Sequence, residues 1–207
     1  MNKSSLTIIE DYAFIKQTDI DIKKLHKLCL NINDFLESFL DEQEDNYVDN
    51  SFLAPLSTRC YNQYNLLCFI ESPLHSVFTN IRDMFEEIVK ENFQKKEYFV
   101  QCWLNVFSEK SPGLGWHSHF ENESDAFHGF LVVNSSGDSY TEYKKPDNKT
   151  FKIPSKEGLL VMTRSFQDLH RTSPIKKGGN RVTIAFDIVN SKSLKDYSYK
   201  SSHWIPI

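Results

Sequence analysis

The sequence predicts a mainly β protein of α+β class, with a sandwich or jelly-roll core behind N-terminal helices. Two observations carry this. Before Lys96 the apolar residues recur at helical spacing over two long stretches. After Lys96, short runs rich in Val, Phe, Tyr and Ile alternate with Gly, Pro, Asn and Asp turns, giving about eight short strand candidates at sandwich-like spacing.

Taken in order, residues 6–15 (Leu6, Ile8, Ile9, Tyr12, Phe14, Ile15) predict a short strand with its flanks. From Asp19 to about Asp41, Ile22, Leu25, Leu28, Ile32, Phe35, Leu36, Phe39 and Leu40 form a helical stripe behind an Asp cap. Residues 41–50 are acidic and polar and read as a loop, while 51–72 show no clear period. Pro73 opens a second helix, with Leu74, Val77, Phe78, Ile81, Met84, Phe85, Ile88 and Phe93 on one face. Both stripes are core. Strands are expected at 98–107, 115–121, 127–134, 139–144, 149–153, 158–163, 168–173 and 181–189. The tail from Ser191 ends in aromatic residues, including Trp204, suited to packing back on the body.

The 207 residues fit a single domain, 1–207, with a helical support region (1–97), a catalytic core (98–190) and a tail (191–207). A hydrophobic content of 40% is enough for a real core. A net charge of -4 leaves no basic footprint, which disfavours nucleic acid as a partner. The four cysteines show neither CxxC spacing nor clustering, as expected of reduced thiols in a cytoplasmic protein. No apolar run is long enough for a membrane span, and Met1–Ser5 lacks a signal-peptide core.

The stretch with the most chemistry is Trp116-His117-Ser118-His119-Phe120-Glu121. In an extended strand, His117, His119 and Glu121 share one face and offer three metal-capable side chains. A solvent-facing polar edge strand gives the same alternation. Downstream come Leu169-His170-Arg171-Thr172 and Asn180-Arg181-Val182-Thr183-Ile184-Ala185-Phe186-Asp187. Arg181 and Thr183 lie on one strand face, with Val182, Ile184 and Phe186 on the apolar one.

This ordered set resembles the iron(II)- and 2-oxoglutarate-dependent dioxygenases. It is most similar to the bacterial and phage group with a His-x-His strand. The resemblance covers about residues 98–190 and rests on Trp103-Leu104-Asn105, His117 to Glu121, Gly129-Phe130-Leu131-Val132-Val133, His170, and Arg181 to Phe186. It implies a double-stranded β-helix (cupin-like jelly roll) and hydroxylation of an unidentified prime substrate, a small molecule or a protein or peptide side chain. Iron(II) is the implied cofactor, 2-oxoglutarate and dioxygen the cosubstrates, and succinate and CO2 the products. Two histidines and a carboxylate on iron leave positions for 2-oxoglutarate and oxygen. Arg181 and Thr183 then hold the far carboxylate of 2-oxoglutarate, with Asn105 in the cosubstrate pocket.

Two ligand registers stay open. His119, Glu121 and His170 supply the ordinary carboxylate and are preferred, because neutral ligands alone balance the charge of iron less well. In the alternative, His117 replaces Glu121 beside His119 and His170. His128, on the next strand, reads as a lining or surface residue. Arg171 and Arg164 read as substrate contacts or as a solvated face. A zinc hydrolase using His117, His119 and His170 with Glu121 as base leaves Arg181 and Thr183 without a role. A non-catalytic jelly-roll binding module is the third reading.

Overall fold

The switch of period at Lys96 is a switch of architecture. The computed structural model describes residues 5–40, 65–68, 72–90, 96–109, 113–120, 125–136, 138–165, 169–196 and 204–207. Glu121, Phe93 and the acidic loop at 41–50 lie outside them. Helix α1 (Ile22–Leu40) starts behind Asp21, whose carboxylate accepts the Lys24 N–H at 3.1 Å. It buries Leu25, Cys29 and Ile32, four and three residues apart. Phe35, expected on that stripe, is instead 51% exposed, because position 35 sits about 90° round the helix from it. Helix α2 (Ser72–Val89) has Pro73 in its first turn, where no N–H is missed, and buries Leu74, Val77, Ile81, Met84 and Phe85.

The sheets are built from β1 (Thr7–Ile9), β2 (Ala13–Gln17), β3 (Tyr98–Ser108), β4 (Phe127–Ser135), β5 (Tyr140–Lys144), β6 (Thr150–Pro154), β7 (Leu159–Arg164), β8 (His170–Thr172), β9 (Asn180–Asn190) and β10 (Ile205–Pro206). A seven-stranded sheet runs β1-β2-β7-β4-β9-β3-β10, and a three-stranded sheet runs β6-β5-β8. At the centre of the large sheet β9 pairs with β3 over its whole length, from Tyr98 opposite Asn190 to Ser108 opposite Asn180. The core strands pass back and forth between the sheets: β4 to β5, β6 to β7, and β7 through β8 to β9. That interleaving makes a double-stranded β-helix, with α1 and α2 packed against the other face of the large sheet and the β1–β2 hairpin extending that sheet beside β7.

Strand alternation sorts the side chains of β9 into two environments. Val182, Ile184, Phe186 and Ile188 join the helices in the larger core. Ala185 faces the space between the sheets with Trp103, Phe130, Val132, Tyr143 and Val161. Arg181, Thr183 and Asp187 share its parity, so the polar half of the central strand lines the barrel interior. Asn105, opposite Thr183, and Trp103, opposite Ala185, sit beside them on β3. Cys102 and Leu104 take the helix side.

Two differences from the sequence expectations have clear causes. The strand expected over 6–15 is a hairpin, reversed at Glu10 and Asp11, both at positive φ, and it extends the large sheet beside β7. The strand expected over 115–121 shrinks to a single bridge between His117 and His170, and Phe120 at φ 52° breaks the alternation before Glu121. At the C-terminus Trp204 packs back on the body, as its aromatic tail suggests, and β10 adds to the edge of β3. Among the described residues no helix is long and apolar enough to cross a membrane.

Candidate metal centre and cosubstrate pocket

His117 and His170 exchange both backbone hydrogen bonds, each at 2.9 Å. Residues paired in this way point their side chains to the same side of a sheet, and the two imidazoles lie 4.3 Å apart between ring centres. The approach depends on Gly113. Its φ is +78°, and a Cβ there would come within 2.7 Å of the Thr172 carbonyl. Glycine therefore lets the 113–117 segment lie against β8, where Thr172 Oγ1 accepts the Leu114 N–H at 2.7 Å.

Two residues on, His119 turns into the barrel and is buried. Together, His117, His119 and His170 place one ligand atom each within 4.8 Å of one another. Each of the first two is held by a fixed acceptor. The Gly115 carbonyl lies 2.8 Å from His117 Nδ1, and the Asp187 carboxylate lies 3.1 Å from His119 Nδ1. Both acceptors call for a proton on Nδ1, which leaves Nε2 as the electron-pair donor. Imidazoles oriented in this way suit a divalent transition metal.

A second grouping shares His119. His128 Nδ1 lies 2.9 Å from the same Asp187 oxygen, and its ring stacks on His119 at 3.9 Å and 17°. His119, His128 and Asp187 also bring ligand atoms within 4.8 Å, all three buried in the barrel. Burial, reinforced by His119, pushes the His128 imidazole down to about 3, so it is neutral at physiological pH.

The residues expected to hold the cosubstrate lie on β3 and β9, facing the barrel interior. Arg181 is 2% exposed and donates from Nη2 to Thr141 Oγ1 at 2.8 Å. Its Nε and Nη1 find no acceptor among the described residues. Burial lowers the guanidinium to about 10, which still leaves it charged. A buried cation with two unused donors fits a carboxylate, and a planar fork fits both of its oxygens. Thr141 lies two positions from Tyr143, which pairs with His170. Thr141, which holds the guanidinium, and Tyr143, opposite His170, are thus about 7 Å apart along β5 and share one face of it.

The structure thus brings together His117, His119, His170 and, further along, Arg181, Thr183 and Asn105. Arg171 turns outward, as alternation along β8 requires. It pairs with Glu142 at 2.6 Å and covers the Trp116 ring at 4.6 Å. Arg164 stacks over Phe127. Asp187 is the site residue that the sequence reading misses, while His128, read as a lining or surface residue, does line the barrel. For Asp187 the available signal is its parity with Arg181 and Thr183, a charge set in an otherwise apolar run.

No family model and no curated protein matches the chain. Solved structures do. The viral collagen prolyl hydroxylase vCPH from Paramecium Bursaria Chlorella virus-1, in a truncated form, superposes with a TM-score of 0.53 at 14% identity, over 91% of this chain and 96% of that one. EvdMO1 superposes with a TM-score of 0.60 at 14% identity, over 86% of this chain. A Pseudomonas putida prolyl-4-hydroxylase matches with a TM-score of 0.48 at 13% identity, over 57% of this chain. The matched region spans 47% of EvdMO1 and 63% of the P. putida protein. What the chain shares with vCPH and EvdMO1 is the fold, a double-stranded β-helix.

Proposed function

We propose that the protein is an iron(II)- and 2-oxoglutarate-dependent dioxygenase that hydroxylates a small molecule or a protein or peptide side chain. The observation that carries this is Arg181, a buried guanidinium with two unused donors, bonded to Thr141 two strand positions from the partner of His170 in the three-histidine cluster. A zinc hydrolase has no use for such an anchor.

In this reading His117, His119 and His170 hold the metal. Iron(II), when bound, supplies dioxygen activation coupled to decarboxylation of 2-oxoglutarate, giving succinate and CO2. The chain's own residues bind and orient. Gly115 and Asp187 keep the Nε2 lone pairs of His117 and His119 available. Arg181, with Thr141, Thr183 and Asn105 around it, fixes the far carboxylate of 2-oxoglutarate. Trp103, stacked beside His119 at 5.9 Å, and Phe130, under the Arg181 guanidinium at 5.4 Å, exclude water from the pocket.

The test is calorimetric titration of 2-oxoglutarate into anaerobic, iron-loaded protein. A succinate-release screen against amino acids, peptides and nucleobases then follows. Saturable binding and substrate-dependent succinate are expected. Metal-loaded protein that binds no 2-oxoglutarate overturns the reading.

A further inference from the structure

A three-histidine centre lacks the negative charge that a carboxylate ligand brings to iron(II). The barrel nevertheless holds a carboxylate in contact with one of the three. Asp187 is fully buried on β9, and both its oxygens reach His119 Nδ1, at 3.1 and 3.3 Å. One of them also receives His128 Nδ1 at 2.9 Å. A buried carboxylate requires compensation. Here it faces two imidazoles, one of them a proposed metal ligand.

From this we infer that Asp187 is the charge-balancing carboxylate of the metal centre, acting through His119 rather than on the metal. It fixes the Nδ1–H tautomer of His119 and the orientation of its ring, which presents Nε2 as the electron-pair donor. This makes Asp187 a positioning residue. The inference rests on the reading of His117, His119 and His170 as ligands. His128 has the supporting part. Its ring covers His119 and shares the same oxygen, which holds the carboxylate in place and blocks rotation of the His119 ring.

Direct ligation through His119, His128 and Asp187 is the competing geometry, and the experiment separates the two. Asp187→Asn keeps the shape and one acceptor oxygen but removes the charge. Cobalt(II) titrated into metal-free protein should bind roughly ten- to a hundredfold more weakly in this variant, with the same visible band pattern as wild type. Ring-nitrogen NMR on metal-free, 15N-histidine-labelled protein should show His119 held as the Nδ1–H tautomer in wild type and shifting toward Nε2–H in Asp187→Asn. Asp187→Glu makes the same point with the charge retained, because the extra methylene displaces the carboxylate and should likewise release the tautomer.

Wild-type cobalt affinity together with an unchanged His119 tautomer overturns the inference. So does a cobalt spectrum that reports one ligand fewer in Asp187→Asn, which would make Asp187 a ligand itself. Failure of the underlying reading shows elsewhere: His170→Ala that binds cobalt as wild type removes the ligand set, whatever Asp187 does.

Discussion

Arg181 and Thr141 are joined across the barrel, Nη2 donating to Oγ1 at 2.8 Å from the large sheet to the small one. The bond fixes one arm of the guanidinium and leaves Nε and Nη1 directed away from protein acceptors among the described residues. Replacing Arg181 should therefore damage cosubstrate binding selectively. Arg181→Ala is expected to cost roughly 2–5 kcal/mol of 2-oxoglutarate affinity, as for a buried charge pair losing one partner. Iron affinity should stay near wild type. Arg181→Lys should recover little, since a single ammonium cannot form the two-pronged contact. Calorimetry with 2-oxoglutarate on both variants checks this, and unchanged affinity would remove Arg181 from the pocket.

Gly129 is a packing requirement. A Cβ there would lie 2.3 Å from the Val161 carbonyl and 2.3 Å from the Phe186 ring, closer than atoms can approach. Gly129→Ala must push apart β4, β7 and β9, two of which carry His128 and Asp187. The expected loss is about 1–3 kcal/mol from overpacking. Urea unfolding should show a lower midpoint at unchanged slope; a midpoint equal to wild type would show that the barrel yields there.

Glu142 predicts an acid-side loss of stability. Burial alone would raise its carboxyl, but hydrogen bonds from Arg171 and Thr150 and the Arg171 charge outweigh it, and the net value is lowered. A carboxylate lowered in the folded state stabilises fully above its unfolded value, and the stabilisation fades as pH falls through the lowered one. Glu142→Gln should thus be less stable than wild type at neutral pH, with the gap closing as pH falls below the usual carboxylate value of about 4.3. Denaturation curves from neutral pH down through that value test the sign. A gap that widens on acidification would contradict it.

The fold can be read from the sequence because period and turn residues mark most elements independently. The expected strand at 98–107 matches β3, and that at 181–189 matches β9, with boundary shifts of a single residue. The face assignments of Trp103, Asn105, Arg181 and Thr183 follow from alternation alone. The site is harder to read, for two physical reasons. Alternation ends at Phe120, where the backbone turns to positive φ, so strand parity assigns no face beyond His119. In addition, His128 and Asp187 are far apart in sequence but paired opposite each other across β4 and β9. A strand register of this kind has no trace in a single chain read linearly. The hairpin edge and β10 escape the sequence for the same reason.

The ligand register is the last point that mutation should decide. His170 pairs with His117 through the backbone and with Tyr143 on its other side, so its ring is held between them at the small sheet. His170→Ala and His119→Ala should each lose most metal affinity in either register. The discriminating pair is His117→Ala and Glu121→Ala. His117 has its Nδ1 2.8 Å from the Gly115 carbonyl and its ring 4.3 Å from His170, which favours a lone pair facing the shared centre. On the proposed set, His117→Ala should weaken metal binding strongly, while Glu121→Ala stays close to wild type. If Glu121 supplies the third ligand, the order inverts, and His117→Ala becomes the milder change. Cobalt titrations on the four single variants give the ranking directly. A Glu121→Ala protein that loses its metal would return the carboxylate to the metal itself and leave His117 beside it.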